Sequence, residues 1–90
     1  MLDYIRKQLL TTTELPVHNV LHNIISDSIL RQKITYNSSS GKYEFPISEL
    51  SHNVITILKD NRIGYYEKNL KGTDIFIQIW NDKISFWLKK

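Results

Sequence analysis

Cysteine is absent from this 90-residue chain. Its absence excludes disulfides, cysteine-ligated zinc, iron–sulfur clusters and thiol catalysis. Alanine is absent too, so any helix must be built from longer side chains. Three glycines and two prolines are few, and Gly41, Gly64 and Gly72 lie too far apart to cradle a phosphate. No apolar run approaches the roughly 20 residues that span a bilayer. Asp3, Arg6 and Lys7 interrupt what would be the apolar centre of a secretory signal. These absences predict a soluble intracellular chain of one domain. A chain of this size buries only about 60–65% of its unfolded surface, so shared stability with a partner is expected.

The residues present have an ordinary balance: 41% are hydrophobic and 23% charged. A net charge of +3 and a pI near 9.2 lean towards a polyanionic partner. Thirteen isoleucines, nine lysines and seven asparagines stand against three arginines. That skew towards residues with AT-rich codons predicts an AT-rich genome: an organelle, certain parasites, low-GC bacteria or their phages.

Leu2, Ile5 and Leu9 recur at helical spacing and predict a short amphipathic helix over 2–10, ended by Thr11, Thr12 and Thr13. Pro16 suits a first turn, and Val17, Val20, Leu21, Ile24, Ile25 and Ser28 mark one face of a helix over 16–29. Residues 33–37 and 42–46 alternate as strands around the loop Asn37–Gly41, and Pro46 ends the second. Ser48 is an N-cap for a helix over 49–60, with Leu50, Val54, Ile57 and Leu58 on its buried face. Residues 63–67 predict a strand and 69–72 a turn. In 74–80, Ile75, Ile77 and Ile79 share one face; Phe76, Gln78 and Trp80 share the other. After a turn at Asn81-Asp82, Ile84, Phe86 and Leu88 form the apolar face of a last strand. The pattern is α+β: two helices packed on a small mixed or antiparallel sheet, with residues 1–15 as an N-terminal extension and 16–90 as a single domain.

Catalytic constellations are missing from the sequence. His18 and His22 stand at i and i+4, a zinc-chelating spacing, but neither the glutamate of a zinc protease nor a further ligand accompanies them. They are read as polar residues on the solvent face of their helix, and no metal or cofactor is expected. The nine acidic residues are scattered, with no pair marked as acid and base, and Ser38, Ser39 and Ser40 read as a hairpin tip. An enzyme acting on a small-molecule substrate is not expected. The cations are more informative. Arg31, Lys33, Lys42, Lys68, Lys71, Lys83, Lys89 and Lys90 lie at helix ends, in turns or at the terminus, where they can reach phosphates. Tyr65, Tyr66, Trp80 and Trp87 have rings on which bases stack, although aromatics in strands more often serve a core or an interface.

Residues 46–59, Pro-Ile-Ser-Glu-Leu-Ser-His-Asn-Val-Ile-Thr-Ile-Leu-Lys, resemble the second helix of the small-subunit ribosomal protein S-eight family. That family reads Pro-x-Ser-x-Leu-x-x-x-Ile-x-x-Val-Leu-Lys. Pro16 to Ile24 is similar to its opening helix, Asp74 to Trp80 to its Leu-Arg-Ile-x-Leu-Lys-Tyr strand, and Ile84 to Lys90 to the strand leading out of its first domain. The likeness covers 16–90. There are departures: Asn23-Ile24-Ile25 replaces Arg-Ile-Arg, Glu49 stands where a basic residue is usual, and the 16–46 stretch is longer. The Ser-Thr-Ser-x-Gly motif of the family's second domain has no counterpart.

The resemblance implies a structural constituent of the small ribosomal subunit that keeps the family's first domain and shapes small-subunit rRNA during assembly. With the composition, it implies an organellar ribosome, mitochondrial ahead of another AT-rich organelle, and a start at Met1 without a presequence suits synthesis inside the organelle. Neighbouring ribosomal proteins, either a separately encoded second half or, if that half is lost, an unrelated ribosomal protein, are the expected protein partners, and no membrane is. Trp80 and Trp87 are expected at a protein interface, uncovered by loss of the second domain; the simpler possibility is that Trp87 packs under residues 2–10. The alternative function is a small phage- or plasmid-encoded protein-interaction module.

Overall fold

The computed structural model describes residues 1–10, 16–60 and 66–89. Within them the chain is α+β, with helices on a five-stranded sheet that is antiparallel at every pairing. Helices α1 (Leu2–Leu10), α2 (Pro16–Ser26) and α3 (Ser28–Arg31) lead into strands β1 (Thr35–Asn37) and β2 (Lys42–Pro46). Helix α4 (His52–Asp60) and strands β3 (Lys68–Asn69), β4 (Ile75–Ile79) and β5 (Lys83–Leu88) follow. The strands lie in the order β1-β2-β5-β4-β3, so the last strand is central and joins the hairpin to the meander.

Two helices end or begin elsewhere than the apolar spacing predicts. The helix expected over 16–29 breaks at Asp27, whose extended backbone (φ −76°, ψ 125°) lets its carboxylate accept the N–H groups of Ile29 and Leu30. An aspartate that satisfies two orphan donors starts a new helix more readily than it continues an old one. The helix expected from 49 starts at His52, because Ile47–Glu49 first form a 3₁₀ turn tied to the sheet by the Ile47 N–H on the Asp82 carbonyl. Ser51, not Ser48, caps it, its hydroxyl accepting from the Val54 N–H at 3.3 Å. The strand predicted at 63–67 falls partly outside the described residues, as do Tyr65 and the helix break at 11–13. Tyr66 and Glu67 are not in a strand; the edge strand is Lys68–Asn69.

Turns close as their residues dictate. At Asn37–Gly41 the Asn37 side chain accepts from the N–H groups of Ser39 and Ser40, and Gly41 takes the positive φ of 71° that a side chain would resist. At Asn81-Asp82 the Trp80 N–H meets the Lys83 carbonyl at 2.7 Å.

One face of the sheet carries the core. Phe45, Ile75, Ile77, Ile79, Ile84 and Phe86 point to it, against Val17, Val20, Leu21, Ile24 and Ile25 of α2 and Leu58 of α4. Leu50, Val54 and Ile57 pack partly buried around this cluster. The first helix belongs to the same core: Ile5 and Leu9 have no solvent exposure. Since α2 packs against both α1 and α4, its buried arc is wider than one stripe. That arc takes in His18, 4% exposed rather than on the solvent face. Its Nε2 lies 2.8 Å from the Lys71 carbonyl. A carbonyl only accepts, so Nε2 carries the proton, and α2 is tied to the β3–β4 turn.

Candidate nucleic-acid interface

Among the described residues the helices pack on one face of the sheet and leave the other open. Along a strand, neighbouring side chains point to opposite faces, so the residues between the core isoleucines and phenylalanines form the open face. On β4 these are Phe76 and Gln78, with Trp80 following; on β5, Lys83, Ser85 and Trp87; on β2, Lys42, Glu44 and Pro46. Trp87 therefore faces away from α1, and packing under residues 2–10 is not what holds it.

Register fixes what each ring touches. Trp87 stands directly opposite Phe76, their rings nearly parallel at 13° with centroids 6.0 Å apart. On the β2 side the Lys42 ammonium lies 4.1 Å from the centre of the Trp87 ring. Lysine, indole and phenyl thus form a ladder across three adjacent strands. A cation–π contact of this kind is worth about 0.5–1 kcal/mol at an exposed site. Ser40, Gly41, Glu67 and Lys89 join these side chains around a groove of ≈ 370 Å³.

A second cluster lies further along the same strands. Trp80, 39% exposed, donates its Nε1–H to the buried Ser85 hydroxyl at 3.0 Å. Lys83 is 6.0 Å from the Trp80 ring and pairs with Glu44 at 2.9 Å. The hydrogen bond from Lys83 holds the Glu44 carboxyl below its ordinary range, and the same bond raises Lys83. Lys33, 3.7 Å from Glu49, borders a shallow groove of ≈ 310 Å³ with Thr35, Glu44 and Lys83.

Of the cations and aromatics singled out in the sequence, Lys42, Lys83, Trp80 and Trp87 are brought together on this face, with Lys33 and Lys89 at its margins. Lys33 and Lys83 are internally paired; among the described residues neither Lys42 nor Lys89 has an ion-pair partner. Arg31 lies on the helical side, bound to Asp3 of α1 at 2.9 Å; this bond and its charge hold the Asp3 carboxyl below its usual value. Lys68 sits on the edge strand in register with core-facing Ile77, and Lys71 is exposed in the β3–β4 turn. Lys90 is outside the described residues. The sequence marks Phe76 only as a residue of the face opposite Ile75, Ile77 and Ile79. Its pairing with Trp87 depends on register between β4 and β5, set by the two-residue turn at 81–82.

Among the described residues no three histidines or acids gather as a metal site, and no helix is long and apolar enough to cross a membrane. Searches against protein-family models, curated proteins and solved structures return no match for the chain.

Proposed function

We propose that this chain binds RNA through the open face of its sheet and serves as a structural constituent of a small ribosomal subunit, holding small-subunit rRNA in shape during assembly. The observation that carries the RNA reading is the convergence of Lys42, Lys83, Trp80 and Trp87 on one uncovered sheet face, with Lys89 beside them. Lysines neutralise phosphates and release counterions, while rings give bases a surface to stack on. The ribosomal setting rests on the resemblance over 16–90 to the S-eight family, and the organellar, mitochondrial setting on the AT-rich composition. Neighbouring ribosomal proteins, either a separately encoded second half or an unrelated ribosomal protein, complete the partners. The role is architectural and involves no catalytic step.

The test is isolation of the tagged full chain from its own cells at low salt. The reading predicts small-subunit rRNA and several ribosomal proteins in the eluate, released by high salt because returning counterions compete for the polyanion. A single non-ribosomal protein without RNA would contradict it.

That outcome belongs to the second reading, a protein-interaction module of phage or plasmid type. A different surface favours it. Tyr36, exposed on β1, tilts against Tyr43, and with Met1 at the start of α1 and Leu88 they line a groove of ≈ 280 Å³.

A further inference from the structure

We propose that the groove at the Trp87 end of the open face seats one or two unpaired nucleotides, the base stacking on the Trp87 indole and the phosphate taking the Lys42 ammonium. This deepens the RNA reading above and rests on it.

The floor of the groove is the Trp87–Phe76 pair and its rim carries Lys42 and Lys89, the two cations of the face without an ion-pair partner among the described residues. An apolar peptide is a poor match, since lysine is depleted at the centre of protein interfaces and the polar Ser85 and Gln78 separate this pair from Trp80. Duplex RNA is also a poor match. Its stacked bases show no ring face, only phosphates, hydroxyls and base edges in a wide shallow groove. An unpaired nucleotide supplies both halves of the chemistry, a flat π-surface and a singly charged phosphate.

The position of Lys42 gives the seat a mechanism. Its ammonium now lies over the Trp87 ring, which runs nearly parallel to Phe76. Lysine is a point charge on a four-carbon stem, able to swing without leaving the rim. A phosphate arriving beside it draws the ammonium off the indole and frees that ring face for the base. The exchange runs downhill, because a surface cation–π contact is weaker than base–aromatic stacking joined to an ion pair. Glu67, also lining the groove, repels a phosphate on its own side, which directs the strand past Lys42 and Lys89. Trp80, just past the end of β4, is four residues from Phe76 on the same face, about 13 Å at strand rise, so the two aromatic clusters are separate footholds along one face.

Trp80→Phe leaves Trp87 as the chain's sole tryptophan, so its emission reports this groove alone. The full-length variant, checked for folding by circular dichroism, is titrated at low salt with a single-stranded oligoadenylate and with a blunt-ended RNA duplex of equal phosphate number. The single strand is expected to quench Trp87 and to bind about tenfold tighter than the duplex, the scale of one base–aromatic stack. Adding Lys42→Gln should weaken the single strand and lower its salt dependence by about one phosphate contact. Equal or tighter duplex binding, or single-strand binding that leaves Trp87 emission unchanged, overturns this inference and leaves the RNA reading standing. Binding of neither RNA, by the variant and by the unsubstituted chain alike, overturns both. A polypeptide found seated on Trp87 in the assembled particle also overturns the inference.

Discussion

The two faces of one sheet are built from alternate residues of the same strands, yet they obey different rules. On the covered face of the inner strands β4 and β5, Ile75, Ile77, Ile79, Ile84 and Phe86 are apolar and buried. On the open face, Phe76, Gln78, Trp80, Lys83, Ser85 and Trp87 mix rings, amides, hydroxyls and charge. A face that only needed to meet water would have little use for two tryptophans and a phenylalanine. A face that only needed to pack would not have lysines laid over them. The contrast separates the residues that hold the fold from those available to a partner, and substitutions on the two faces should separate in the same way.

The largest effects are expected on the covered face. Phe86→Ala, at the centre of the core, should cost about 3–5 kcal/mol, and Ile5→Ala in α1 about 2–5 kcal/mol, both read from urea denaturation. A small domain has little stability to spare, so Phe86→Ala is expected to be largely unfolded. An Ile5→Ala cost near zero would mean that α1 contributes nothing to the core it touches.

On the open face the expected costs are smaller. Ser85→Ala removes the acceptor of the Trp80 indole N–H and should cost about 1 kcal/mol in the same assay. A loss as large as that of Phe86→Ala would erase the distinction between the faces. Lys42→Gln removes the cation–π contact and should cost no more than about 1 kcal/mol of stability while weakening RNA binding, the clearest separation of fold from function.

The smallest effect is a pH dependence. Glu44 titrates below its ordinary 4.5 and Lys83 above its ordinary 10.5 because each stabilises the other's charged form. The pair's contribution is therefore full between those values. It fades as pH falls through the lowered Glu44 value, and on the alkaline side as pH rises through the raised Lys83 value. Glu44→Gln should lower Tm slightly near neutrality, and the difference should vanish on acidification below the ordinary glutamate range. A difference that persists unchanged in acid would contradict the pairing.

Much of this contrast is legible in the sequence where period and burial coincide. The alternation in 74–80 and 84–88 separates core from open face residue by residue, and the spacing of Ile5 and Leu9 marks the buried stripe of α1. Legibility fails where a short polar side chain competes with period. Asp27 interrupts a helical pattern because its carboxylate caps α3, and Ser51 rather than Ser48 starts α4 because the 3₁₀ turn uses the residues between them. His18 is buried because α2 lies between two other helices, a fact of tertiary packing that its own sequence does not carry. The candidate site was half visible. Lysines and tryptophans stand out by type, but which of them converge depends on strand order, and placing β5 between β2 and β4 is what brings Lys42 to Trp87. Arg31 looked equivalent in the sequence until its bond to Asp3 placed it on the helical side.

The central claim is that RNA meets this chain on the open sheet face. Ultraviolet cross-linking of the chain to its RNA, with the modified residues identified by mass spectrometry, tests that most directly. The account predicts cross-links at Trp87, Phe76 and Trp80. Cross-links confined to α1, α2 or the Arg31 end of α3 would contradict it.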